Sequence, residues 1–278
     1  MRAFESAMEP AWPSLKSRLV SSGATADGTN VYLVGATVLK VSPPAFPNVI
    51  REMTDKARLA REALGADLGR VIPRPLGEWQ MEGASCALFE ELAPISSARV
   101  RRSIQLSKIR PKLLQWLREV ARVDRGVSTQ TRLHLNSLAN CPFPALQHDA
   151  KLALAKLNDG DFYPRATVMH TDLWLGNIML DPLGKRDFVV IDWRGSTTDG
   201  YPIFDLIKLA ESFRLTPKAL KAELDSHADA LGCSLDNMRN YLTAALGYVW
   251  HHLDQFPPER FAAMAERNLR TLGNALSA

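Results

Sequence analysis

Two short apolar runs, Asn177-Ile-Met-Leu180 and Phe188-Val-Val-Ile191, are joined by Asp181-Pro-Leu-Gly184, in a stretch that otherwise reads mostly as helix. The Pro–Gly pair between the two runs predicts a turn, and the runs themselves predict two short strands. A turn there brings the outer ends of the strands together. Asn177 begins one strand and Asp192 ends the next, so the two become neighbours. Any fold of this chain must hold that small polar-ended hairpin inside a helical body.

The remaining patterning is divided unevenly. Asn30-Val-Tyr-Leu-Val34 and Val38-Leu-Lys-Val41 flank Gly35-Ala36 and predict a β-hairpin. Thr54 to Leu68 has strong helix formers and no interior proline, so it predicts a helix. Cys86-Ala-Leu-Phe89 reads as a further strand. Beyond Leu92 apolar residues recur at helical spacing from Ile104 to Val123, with Pro111 expected to kink or break that helix. Ala145 to Leu157 and most of the chain after Ile203 are also helical. The reading is an α+β chain in two lobes: residues 1–91 small and β-rich, residues 92–278 larger and mostly helical.

The densest chemistry lies in His170-Thr-Asp172-Leu-Trp-Leu-Gly-Asn177, followed by Ile191-Asp192-Trp193. Phosphoryl transfer needs positioning and charge neutralisation more than covalent chemistry. A carboxylate must orient the acceptor hydroxyl, a role open to Asp172. A hard cation such as Mg²⁺ needs oxygen ligands, which Asn177 and Asp192 supply. His170 reads as structural, hydrogen-bonded within the loop, and Trp174 as a residue that packs the loop. The adjacent His251 and His252 point in different directions on a helix and do not form a metal pair.

This HxDxxxxN spacing, with a second Asp after an apolar strand, resembles the aminoglycoside phosphotransferase and choline kinase families, which have a protein-kinase-like fold. The resemblance covers roughly residues 21–213 and implies ATP and Mg²⁺ as cofactors. It also implies further roles. Lys40 in Val-Leu-Lys-Val looks like the strand lysine that contacts nucleotide phosphates, and Glu62 like its helix partner. Glu52 competes for that role but precedes the clean helical stretch. Phe89-Glu-Glu-Leu92 looks like the hinge, where the backbone of Glu90 and Leu92 would read adenine. Asp205, in Gly200-Tyr-Pro-Ile-Phe-Asp205, looks like the aspartate that braces the catalytic loop, so that its loss would harm both folding and activity.

Three departures stand out. Thr171 occupies a place where Gly or Asn is more usual. Arg194 follows Asp-Trp where an acid is common. The segment Ser21-Ser-Gly-Ala-Thr-Ala-Asp-Gly28 lacks GxGxxG, which argues against a protein kinase proper. It leaves the phosphates to Ser22 and Gly23, through backbone amides, and to the hydroxyls of Ser21, Ser22 and Thr25.

The formal charge is +4, but it is not spread evenly. From Leu92 to Asn140 ten Arg and Lys residues face two acids, Glu119 and Asp124, giving 10 − 2 = +8, and the rest of the chain carries 4 − 8 = −4. Such an excess is either a solvated helix face or a basic strip beside the cleft, including Arg99, Arg101 and Arg102, that attracts an anionic acceptor. It speaks against polycationic aminoglycosides. The leading acceptor is a sugar hydroxyl of a glycan or glycolipid precursor. The alternatives are a small metabolite, such as an amino alcohol or a free sugar, and a catalytically silent binding protein that keeps the fold. The silent reading is disfavoured because Lys40, Asp172, Asn177 and Asp192 are all present. A nucleic-acid partner is disfavoured because Trp116 is the one aromatic between Arg99 and Arg132. Three widely spaced cysteines form no CxxC pair, so zinc or a disulfide framework is not expected. No apolar run is long enough to span a membrane and the first residues do not read as a secretory signal. A cytoplasmic protein is expected, with peripheral contact at the inner membrane face left open.

Overall fold

The computed structural model describes residues 17–21, 28–253 and 256–278. Five antiparallel strands form the first sheet, in the order β1-β2-β3-β5-β4: β1 (Ser17–Ser21), β2 (Asn30–Val34), β3 (Thr37–Val41), β4 (Gly77–Met81) and β5 (Ala84–Glu90). The register Val34↔Thr37 leaves Gly35-Ala36 as the loop between β2 and β3. Gly35 takes φ 61° there, a backbone setting that glycine enters without strain.

Helix α1 (Val49–Gly69) lies between β3 and β4 in the chain. It starts five residues earlier than its composition suggests, so Glu52 falls in its first turn. Its two ends bury against different partners. Val49, Ile50 and Met53 pack on Ala87 and Phe89 of the sheet. Ala57, Ala60 and Leu64 instead join the large core of the helical part. The helix therefore ties sheet and helices together.

The chain leaves the sheet after Glu90. Strand β6 (Ala93–Pro94) pairs with β8 (Ile178–Leu180), which pairs in turn with β9 (Val189–Val190). The central hairpin of the helical part is thus three-stranded. A separate pair joins β7 (Thr167–Met169) to β10 (Thr197–Gly200). Around these lie α2 (Arg99–Arg122), α3 (Thr131–Ala139), α4 (Pro144–Asp159), α5 (Pro202–Phe213), α6 (Pro217–Leu231), α7 (Asn237–His251) and α8 (Pro258–Leu276).

Of the two outcomes expected at Pro111, a kink or a break, the break does not occur: helix α2 runs on through it. An interior proline costs about 3 kcal/mol. The same helix buries Ile109, Leu113, Leu114, Trp116, Leu117 and Val120, each contributing roughly 1.5–3 kcal/mol. Pro111 itself is exposed. Packing of the apolar stripe outweighs the lost hydrogen bond.

Candidate active site

The loop from His170 to Asn177 connects β7 to β8, and α5 holds it at three points. Asp205 accepts the His170 N–H on Oδ2 (2.6 Å) and the Thr171 N–H on Oδ1 (3.0 Å). Lys208 Nζ lies 3.3 Å from Asp172 Oδ1. Ser212 Oγ accepts the Leu175 N–H at 2.8 Å. Positions 205, 208 and 212 share one helix face, as residues three, four and seven apart do. One face of one helix thereby sets the backbone, the carboxylate and the far end of the loop.

His170 is buried and locked in place. Nε2 donates to the Ile191 carbonyl (2.8 Å), and Nδ1 accepts the Asp172 N–H (3.3 Å). Burial pushes its pKa down. The imidazole thus links the loop to the end of β9. Asn177 makes the second link. Its Nδ2 donates to the Asp172 carbonyl (2.8 Å) and to Asp172 Oδ2 (3.1 Å), while its own backbone carbonyl accepts the Ile191 N–H (3.0 Å). Trp174 Nε1 gives Asp172 Oδ2 another donor at 3.1 Å.

Thr171 takes φ 72°, in the left-handed region. A β-branched residue there is strained by about 1–3 kcal/mol. This explains why glycine or asparagine is the easier residue at that place. The N–H bond to Asp205 holds the strained conformation. Thr171→Gly should therefore raise the unfolding free energy by about 1 kcal/mol, even after the extra chain entropy of glycine. Urea denaturation checks this, and a loss of stability would contradict the strain argument.

Burial pushes the Asp205 carboxyl up to about 7, against the two N–H donors that pull it down. A raised folded pKa means that proton uptake stabilises the fold. That contribution is complete below the ordinary carboxylate range and is lost as pH rises through about 7. Between pH 6 and pH 8 the parent should lose roughly 1 kcal/mol relative to Asp205→Asn, in which position 205 does not titrate. Paired denaturation curves at the two pH values read this difference directly.

Two cavities are lined by residues of this loop and of the strand end bonded to it. The first encloses ≈ 100 Å³ between the sheet, α1 and the β8–β9 hairpin. Lys40, Glu90, Leu92 and Asp192 all line it, among mostly apolar neighbours such as Val38 and Trp193. Lys40 Nζ lies 3.6 Å from Met53 Sδ of α1. The second cavity, more open and ≈ 540 Å³, is lined by Asp172, Trp174, Lys208, Glu211, Ser212 and Arg267.

Glu62 is absent from both. It sits on the outer face of α1, paired with Arg58 at 3.4 Å, its side chain 60% exposed. Met53, the α1 residue at Lys40, lies nine positions before it, about 13 Å along the axis at 1.5 Å per residue. Glu52, set aside because it precedes the clean helical pattern, is next to Met53, and its carboxylate lies 3.7 Å from Arg194 Nε. Glu52 is thus the α1 acid nearer to Met53 along the chain, yet it too lines neither cavity and its side chain is 58% exposed. Starting α1 at Thr54 leaves Glu52 out of the helix, whereas the helix includes both acids, ten residues or nearly three turns apart. Ser22 and Gly23 lie outside the described residues.

Two other expectations change. Trp174 is 47% exposed and opens onto the second cavity. It still shapes the loop, because its ring lies 2.3 Å from where a Cβ on Gly176 would stand. None of the ten bases of Leu92–Asn140 lines either cavity, although Leu92 itself lines the first. Lys112, Arg118 and Arg122 are paired with Asp187, Glu223 and Glu119 on the helical surface. Lys208 is the cation paired with Asp172, and Arg267, paired with Glu211, lines the same cavity; neither stands out in the sequence as part of this site. The spacing Asp205–Lys208 on a helix was the available signal for Lys208.

The donor set suits Mg²⁺. Asn177 spends its NH₂ on Asp172, which leaves the amide oxygen for a cation. Asp192 adds a carboxylate from a left-handed residue, φ 66°. Among the described residues no cluster of three or more His, Cys, Asp or Glu forms. A cation held by few protein oxygens and completed by phosphates is the usual Mg²⁺ arrangement.

A β-sheet over a helical body, a bracing aspartate and a presented carboxylate define a phosphotransferase of the kinase-like class. The sequence profile of the Phosphotransferase enzyme family matches residues 18–242, and the chain belongs to that family. No curated protein matches it by sequence. Solved structures match across nearly the whole length. The choline kinase LicA from Streptococcus pneumoniae superposes with TM-score 0.56 at 15% identity, over 100% of this chain and 99% of that one. Aminoglycoside 2'-phosphotransferase-IIIa in its GDP complex gives 0.59 at 13% identity, over 97% and 98%. A Thermobifida fusca protein described as a fructosamine-3-kinase gives 0.54 at 15% identity, over 95% and 94%. Among the described residues no helix is long and apolar enough to cross a membrane.

Proposed function

We propose that the enzyme transfers the γ-phosphate of ATP to a hydroxyl of a small acceptor, with Asp172 orienting that hydroxyl and taking its proton. The observation that carries this reading is the position of Asp172. It lines the open cavity, while Asn177, bonded to it, also binds the backbone beside Asp192. One hydrogen-bonded chain thus joins an acceptor side to a nucleotide side. In this reading adenine occupies the apolar cavity at Glu90 and Leu92, Lys40 meets the phosphates, and Asn177 and Asp192 hold Mg²⁺. The metal would neutralise charge on the phosphates.

The acceptor we favour is a sugar hydroxyl, of a glycan or glycolipid precursor. An exposed indole beside the base offers an apolar face to sugar C–H groups. Lys208, Glu211 and Arg267 offer donors and acceptors to hydroxyls or to an acidic substituent. A small amino alcohol or a free sugar is the second reading, since Glu211 would suit an ammonium group. A screen with labelled ATP tests both. Transfer to sugars or sugar phosphates supports the first, transfer restricted to amino alcohols supports the second, and no transfer to any alcohol overturns the proposal.

Lys208 should act on catalysis and not on nucleotide binding. A charge-assisted contact is worth about 1.5–3 kcal/mol, so Lys208→Met should lower kcat by about 10–100-fold with ATP affinity unchanged. Lys208→Arg should restore part of the loss. An unchanged kcat in the Met variant would assign Lys208 a surface role only.

A further inference from the structure

A third cavity, ≈ 760 Å³, lies beyond the hinge from Asp172. It shares no lining residue with the acceptor cavity and only Glu90 with the nucleotide cavity. Helix α1 is broken at Gly65 (φ 72°, ψ −177°), and this broken end forms one wall. The segment 70–76 forms another, and the β8–β9 connection closes it with Lys185 and Arg186.

The charges here do not balance. Six cations line the cavity, Arg58, Arg61, Arg70, Arg74, Lys185 and Arg186, against two acids, Glu62 and Glu90, a balance of 6 − 2 = +4. Arg186 is committed to Asp181 and Glu90, both at 2.8 Å. Arg58 is committed to Asp55 and Glu62. Arg61 makes one hydrogen bond, to the Pro73 carbonyl at 3.1 Å. Among the described residues Arg61, Arg70 and Arg74 form no ion pair with a carboxylate. Arg61 and Arg74 are near enough to repel, and that repulsion, after burial, pushes the Arg61 pKa down. Glu62 and Glu78 offset part of that repulsion at Arg61, but six cations against two lining acids leave a net positive field that favours an anion. The guanidinium fork matches phosphate oxygens two at a time, which an isolated lysine cannot do.

We infer that this cavity is a binding site for a phosphate-bearing anion of two or more negative charges, held by Arg61, Arg70 and Arg74. It has no lining residue in common with the acceptor cavity and adjoins the nucleotide cavity only through Glu90 and the walls of α1 and segment 70–76, so it is a site apart from Asp172. The anion is either a free phosphorylated compound or the phosphate of a lipid headgroup.

The test uses the full chain, and inorganic tripolyphosphate as the soluble probe. Arg70 and Arg74 are exposed, so Arg70→Glu/Arg74→Glu should fold, as far-UV circular dichroism will show. Arg70→Gln/Arg74→Gln is the milder substitute should the reversal fail. Neither residue lines the nucleotide cavity, so any tripolyphosphate bound there is common to parent and variant. Titration calorimetry should show a site in the parent that the double variant binds about 10–100-fold more weakly, the range for losing charge-assisted contacts. Vesicles of phosphatidylcholine with and without phosphatidic acid form the second arm. Sedimentation of the parent with phosphatidic acid vesicles, lost in the variant, identifies the lipid source. Tripolyphosphate binding without sedimentation identifies a free compound. Equal binding of both probes by parent and variant, or no binding by the parent, overturns the inference.

Discussion

Asp172→Asn should leave ATP binding near that of the parent and lower turnover by about 10²–10⁴, the range for a lost general base. The structure adds a reason to expect the upper part of that range. Both carboxylate oxygens are used: Oδ1 faces Lys208, and Oδ2 takes donors from Asn177 and Trp174. An asparagine has one acceptor oxygen and must turn its NH₂ toward a donor on one side. The substitution therefore removes the base and also disturbs a partner, either Lys208 or Asn177. Nucleotide affinity is the internal control, because the cavity at Lys40 does not include Asp172. Turnover within a few-fold of the parent, measured with a phosphorylatable acceptor, would rule out the assignment.

The second large effect is expected at Asp192. Asparagine is the suitable replacement, because the residue holds φ 66° and Asn tolerates that region better than Ala. Loss of partners one shell further out already costs 10–100-fold in metal affinity. Asp192→Asn should therefore weaken the Mg²⁺-dependent part of ATP binding by at least about 100-fold. The metal-independent part, set by the apolar cavity and Lys40, should persist. Calorimetry of ATP with and without Mg²⁺ separates the two. A variant that still tightens on ATP when Mg²⁺ is added would place the metal on other ligands.

Much of this site could be read from the chain because its parts are local. Asp172 and Asn177 lie in one loop, and a short turn brings Asp192 back to Asn177, as the backbone bond from Ile191 N to Asn177 O records. Short spacing leaves the chain few other arrangements. The hairpin around Gly35-Ala36 was legible for the same reason, since a two-residue loop sets its own register. Expectations failed where the deciding energy came from elsewhere in the fold. Pro111 predicts a kink or a break, and six apolar side chains buried against the helical body exclude the break by keeping α2 whole. Local pattern placed the start of α1 at Thr54, while burial of Val49 and Ile50 on Phe89 starts it a turn earlier. That shift places Glu52 in the first turn of α1 beside Arg194, while Glu62 faces solvent beside Arg58.

By itself, then, the sequence determined the class of fold and the loop that carries Asp172 and Asn177, with Asp192 brought back beside it, because contacts between residues close in the chain cost little entropy to close. Only the tertiary structure decided which distant charges reach that loop. Lys208 is thirty-six positions beyond Asp172, and Arg267 ninety-five. The ten bases of the middle segment, conspicuous as a run, ended up bordering neither cavity at the loop. Charge along a chain adds up by counting, whereas charge at a site depends on which helix faces the packed core turns toward it.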